Sequence, residues 1–196
     1  MTGRRQIAYR FFLATGGVCA TLLLAGGRAI AENVSMALQD LGQGAYRLEG
    51  HLKVAGPPYN AWRVLTDYEH ISNFVSSLRK SAVKGSTTER LLLEQEALGK
   101  EFIFSKRIRV LLQVTEIPYK RILFEDVSHT DFAFYEGSWE IHGHASGLDI
   151  VYRLSCKRLF TVPNIIAKDA LKKSAEGLLV EVRAEILRRQ EGGSPK

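Results

Sequence analysis

Over Tyr46–Val54, and again from about Ser81 to Lys157, apolar residues recur at every second position. No other feature of the chain limits its fold as tightly. Side chains alternate across a strand, so a period of two gives one buried face and one wet face. Tyr46, Leu48, Gly50, Leu52 and Val54 take one side, with Arg47, Glu49, His51 and Lys53 opposite. Phe102, Phe104, Ile108, Val110, Leu112 and Val114 share another face, with Lys106 as the polar exception. Tyr135, Gly137, Trp139 and Ile141 form a third, and Leu148, Ile150, Tyr152, Leu154 and Cys156 a fourth. Strands of a parallel sheet are covered on both sides and read as continuous apolar runs, so this alternation predicts an antiparallel sheet. Reversals are expected around Gly85, Gly99, Pro118 and Gly147.

Two segments break the period. "AGPPYNAWRVL" places Pro58 where a helix begins, with Trp62 and Leu65 inward. The pattern then restarts with Tyr68, Ile71, Phe74, Val75 and Leu78, which predicts a second short helix. Thr66 and Glu69 stand three apart and suit a capping box at its start, which would explain "TDYEH" without invoking catalysis. The other interruption is terminal: from Asn164, the residues Ile166, Ala170, Leu171, Ala175, Leu178, Leu179, Val182 and Ile186 make a helical stripe. The plan is α+β, a curved antiparallel sheet of about seven strands. Two short helices follow the first strand, and a long C-terminal helix crosses the concave face.

Residues 1–31 open with Arg4, Arg5 and Arg10, continue through an apolar run of about 17 residues, and end in Ala29-x-Ala31. This predicts a cleaved signal peptide and a periplasmic or secreted protein; a retained anchor is the competing reading. Cleavage leaves 23 basic against 21 acidic residues, so the formal charge of +6 gives no argument for nucleic acid. Cys156 is then the lone cysteine, which excludes an internal disulfide. Residues 32–45 read as a loose leader, 46–190 as one domain and 191–196 as a disordered tail.

The ordered set "VAGPPYNAWRVLTDYEHISNFVSSL", "LLLEQEA", "VTEIPYKRILFE", "FYEGSWEI" and "LDIVYRL" before the terminal helix resembles the START-like, helix-grip (SRPBCC) superfamily. The likeness is to its polyketide cyclase/dehydrase and coenzyme Q-binding protein group. It implies a deep apolar cavity between sheet and long helix, and a hydrophobic small-molecule ligand such as a lipid, isoprenoid or quinone. Transient membrane contact would accompany such a role. Catalytic residues vary across the superfamily, so the resemblance supplies none. A cyclase or dehydrase and an accessory protein of an envelope complex, using the basic face around Lys168–Lys173, are the alternatives.

On this reading the cavity lining comprises Phe74, Gln95, Phe102, Phe104, Lys106, Tyr135, Trp139, Tyr152, Ile166 and Leu178. Lys106 is poised between two readings, pointing inward to orient a polar head or turned outward by a bulge in "SKRIR". Glu116 shares its parity and would be the partner in an acid/base pair. Glu140, His142 and His144 lie on one strand face and could ligate zinc, but that face opposes Trp139 and reads as the wet side, so no metal is expected. Cys156, on an apolar face, reads as an inert buried thiol. No phosphate loop or cofactor motif is present.

Overall fold

The computed structural model describes residues 33–87, 90–99, 106–161 and 163–192. Eight strands form one antiparallel sheet: β1 (Val34–Gly42), β2 (Ala45–Val54), β3 (Leu78–Ser86), β4 (Leu91–Gly99), β5 (Lys106–Ile117), β6 (Arg121–Asp126), β7 (Phe132–His144) and β8 (Gly147–Arg158). Their order across the sheet is β1-β2-β8-β7-β6-β5-β4-β3. Helix α1 (Pro58–Leu65) and a single 3-10 turn (Ile71–Asn73) separate β2 from β3, and helix α2 (Asn164–Glu191) closes the chain. The expected signal segment and residues 193–196 lie outside the described residues.

The sheet has one strand more than expected, because β1 occupies the segment read as a loose leader. Its signal is present in "VSMAL": Val34, Met36 and Leu38 are half-buried against the core, and the residues between them face solvent. The β1–β2 turn is made by Gly42, Gln43 and Gly44, all at positive φ, with Asp40 Oδ1 accepting the Gly42 N–H at 2.8 Å. Strands β3–β8 are the six expected after the helices. A reversal at 127–131, unmarked by glycine or proline, joins β6 to β7. Asp126 Oδ1 accepts the amides of Leu111 and Ser128, and Asp131 Oδ2 accepts that of Arg109.

The second short helix is formed only as the 3-10 turn Ile71–Asn73, later than its expected start. Thr66 does not begin a helix but ends α1: its N–H and its Oγ1 both donate to the Trp62 carbonyl, at 2.9 and 2.8 Å. The capping box with Glu69 is therefore replaced by a C-terminal cap and a turn. Asp67 instead spans two elements, with His70 Nδ1 and Arg189 Nη2 each 2.7 Å from its carboxylate.

Helix α2 has 28 residues, roughly 42 Å at 1.5 Å per residue. Leu179, Val182 and Ile186 are fully buried against the sheet, each contributing about 1.5–3 kcal/mol. The helix crosses β2 at Gly50, where a Cβ would meet Leu179 Cδ1 at 2.5 Å. Arg183 donates to the Lys53 carbonyl, Gln190 to that of Ala55 and Arg189 to that of Arg63. All three bonds hold the C-terminal half of the helix. The N-terminal half lies above a space.

Candidate ligand-binding cavity

The sheet curves away from the N-terminal half of α2 and leaves two adjoining cavities of about 210 and 270 Å³. They meet at Ser77, Ala97, Ile108, Phe132, Leu171, Ser174 and Leu178, which line both. Together they fall within the roughly 300–1,000 Å³ of ordinary small-molecule sites. The space exists partly because the helix face above it carries small residues, Ala167, Ala170, Ser174 and Gly177. A Cβ on Gly177 would meet nothing within 4 Å. On the sheet, Gly137 lets the Phe124 ring and the Arg153 carbonyl close in on it; a Cβ there would lie 2.1 Å from that oxygen.

The inner compartment is walled by aliphatic side chains of β5 and β6 and by an aromatic set. Trp139 and Tyr152 have ring centroids 4.6 Å apart, Phe124 stacks on Tyr152 at 6.2 Å, and Phe132 meets Tyr135 at 5.0 Å. Two polar handles project into this surface. The Tyr135 and Tyr152 hydroxyls lie close enough to influence each other, and Gln95 Nε2 donates to Ser81 Oγ at 3.2 Å. Burial, and next the nearby Cys156, push the Tyr135 hydroxyl up to about 12, and burial carries Tyr152 well above its ordinary value. Both stay neutral at any physiological pH. A third hydroxyl, Tyr68, donates to Glu116 Oε1 at 2.6 Å, and burial followed by that carboxylate raises its pKa.

The outer compartment is lined by the buried Tyr46 and, toward solvent, by Arg158, Phe160, Lys173 and Glu181. Among the described residues the charged groups of the two cavities lie at this mouth, and none lines the inner compartment. Cys156 is buried beneath the mouth, and burial pushes its thiol up to about 12, against the opposing charge of Arg158.

Of the residues expected at the lining, the structure places Gln95, Tyr135, Trp139 and Tyr152 in the inner compartment and Leu178 at the junction. Phe74 packs beneath the Arg189 guanidinium, 5.6 Å from ring centre to charge. Ile166 stands on the exposed side of the first turns of α2. Lys106 opens β5 opposite Gly99, and the β4–β5 ladder runs without a bulge from that pair to Leu91–Val114. The side chain of Lys106, like Phe102 and Phe104, lies outside the described residues. Arg107 and Arg109 point to solvent and pair with Glu96.

Residues missing from the expected lining include Phe132, Tyr68, Ser77 and Ser174. Phe132 was hidden by a bulge: the ladder pairs Phe132 with Arg158 but Phe134 with Lys157, so Phe132 and Tyr135 both face inward across an odd spacing. Tyr68 was legible as an inward residue, and its hydroxyl within an apolar pattern was the available signal. Glu140, His142 and their neighbours form a surface network on the outer face, with Arg153 2.9 Å and Arg121 3.4 Å from Glu140.

A family model described as polyketide cyclase / dehydrase and lipid transport matches residues 54–183. A comparison with curated proteins finds no match. Among solved structures, a STAR-related lipid transfer protein from Xanthomonas axonopodis is similar with a TM-score of 0.67 at 14% identity, over 80% of this chain and 95% of that one. Human STARD10 gives 0.67 at 13% identity, over 90% and 83%. The Zhui aromatase/cyclase of a Streptomyces species gives 0.65 at 12%, over 82% and 100%. At these identities the likeness is one of fold: the helix-grip architecture, shared by lipid-transfer proteins and cyclases alike.

Proposed function

Because the chain belongs to the polyketide cyclase/dehydrase and lipid transport family, we propose that it carries a hydrophobic small molecule, such as a lipid, isoprenoid or quinone, between its sheet and C-terminal helix. The observation that supports this reading is the pair of connected cavities, apolar within and charged only at the mouth among the described residues. Burial of apolar surface drives uptake, at about 25 cal/mol per Å² before the costs of association. The Tyr135–Tyr152 pair and Gln95 give the ligand's polar end neutral partners. A tyrosine hydroxyl accepts and donates at once, so Tyr135 can accept from Tyr152 and donate to a ligand oxygen.

A carrier fits these groups better than an enzyme of cyclase or dehydrase type. General acid/base work needs a group that changes protonation near neutral pH. Tyr68, with Glu116, is the nearest candidate pair, and its raised pKa makes it hold its proton too tightly. Residues 1–31 support a periplasmic or secreted location, which N-terminal sequencing of the exported protein tests directly.

Native mass spectrometry of protein purified without detergent should show a retained hydrophobic mass. Stripped protein should take up a fluorescent long-chain lipid or quinone, and Tyr135→Phe should weaken that uptake about ten-fold or less, as loss of one neutral hydrogen bond predicts. No retained mass together with no uptake of either probe would overturn the reading.

A further inference from the structure

The mouth of the outer compartment is bordered by apolar side chains that are exposed among the described residues. Leu159 is 59% and Ile165 84% exposed, and Ile166 and Leu41 are exposed beside them. The hydrogen bonds gather these residues at one end of the molecule. Asn164 Oδ1 accepts from both Tyr46 Oη and Arg158 Nη2, at 3.4 and 3.1 Å, which ties the start of α2 to the start of β2 and the end of β8. Lys168 Nζ lies 2.7 Å from Asp40, which brings the end of β1 and its Leu41 to the same rim. The charge of the connecting stretch has one sign: residues 157–168, "KRLFTVPNIIAK", contain Lys157, Arg158 and Lys168 and no acid.

We propose that the β8–α2 connection is a docking element for an anionic phospholipid surface, with Leu159 and Ile165 entering the acyl boundary and Lys157 and Arg158 facing the headgroups, while Lys168 stays paired with Asp40. Apolar tips flanked by basic side chains are the composition that lies in a bilayer interface, where buried area and headgroup charge act together. A purely protein partner of matching chemistry would be acidic at its rim, but it would cover the mouth. A bilayer continues the apolar path from the acyl region through Phe160 into the outer compartment. Docking here therefore places the opening between Arg158, Phe160 and α2 against the source of a hydrophobic ligand. The proposal concerns the surface and does not depend on which molecule occupies the cavity.

Cosedimentation of the full mature chain with vesicles tests it. Binding should be strong on phosphatidylcholine vesicles containing phosphatidylglycerol, weak on phosphatidylcholine alone, and should fall as salt screens the basic groups. The double variant Leu159→Asp/Ile165→Asp changes only exposed positions, so it should keep the wild-type melting temperature and uptake of a soluble probe while losing ten-fold or more of its vesicle binding. Unchanged vesicle binding in that variant would overturn the proposal. So would wild-type protein that ignores anionic vesicles but forms a concentration-dependent dimer lost in the variant, since the patch would then belong to a second copy.

Discussion

Gly137 and Gly177 bear on the cavity for opposite reasons. At Gly137 there is no space: a Cβ would sit 2.1 Å from the Arg153 carbonyl, and that oxygen belongs to the neighbouring strand, which cannot yield as a side-chain tip can. Gly137→Ala should therefore cost at least the 1–3 kcal/mol typical of overpacking, visible as a lower melting temperature. At Gly177 the space is empty, so Gly177→Ala should stabilise α2 by up to about 1 kcal/mol. Gly177→Phe should fill the mouth and reduce probe uptake while the protein stays folded. A glycine inside a strand and one inside a helix are both unusual, but the sequence carries no sign of which is crowded. That depends on Phe124 and Arg153, brought there by strand pairing. Thr66 teaches the same lesson. Its spacing to Glu69 fitted a helix start, and only the path of α1 shows that it is a helix end, bonded to Trp62.

Between elements, a charged link joins α2 to the turn after α1. Arg189 donates to Glu185 at 2.6 Å and to Asp67 at 2.7 Å, and lies over the Phe74 ring. Hydrogen bonds from Arg188, opposed by burial, and then from Arg189 hold the Glu185 carboxyl down to about 2. Burial would raise Asp67, but hydrogen bonds from His70 and Arg189 outweigh it and keep its carboxyl below the usual range. A carboxyl depressed in the folded state stabilises the fold above its unfolded pKa of about 4.5, and loses that contribution as pH falls toward 2. Arg188 is largely exposed, so solvent screens its share, and about 1–3 kcal/mol is a reasonable size for the Glu185 contribution. Urea unfolding of Glu185→Gln should thus show lower stability at pH 7 and a smaller loss between pH 5 and pH 2 than wild type. Equal pH dependence in the two proteins would remove Glu185 from the network. The Glu185–Arg188–Arg189 spacing was readable as a helix pair. Its partner Asp67 was not, because 122 residues separate the two ends of that bond. "TDYEH" is thus neither a catalytic cluster nor a helix start but the anchor point of the last helix.

At the scale of the molecule, alternation along the strands and the stripe on the final helix were enough to read a helix crossing a curved antiparallel sheet. What they left out was β1, whose three half-buried residues gave too short a pattern beside two glycines, and the asymmetry of α2. That asymmetry has a dynamic consequence. Leu179, Val182 and Ile186 are fully buried, and Arg183, Arg189 and Gln190 bond to the β2–α1 region, all in the C-terminal half. The N-terminal half rests on Ala167, Ala170 and Ala175 above two cavities, with Lys168–Asp40 and the Asn164 contacts as its polar ties. Local opening is cheapest where few buried apolar contacts resist it. Amides of residues 168–178 should then exchange with deuterium faster than those of 180–190 in ligand-stripped protein, although both lie in one continuous helix. Filling the cavity supplies the missing contacts, so a bound hydrophobic probe should slow exchange in the first stretch and leave the second almost unchanged. Uniform exchange along α2, or protection confined to its C-terminal half on ligand binding, would show that the helix does not act as the movable wall of the cavity.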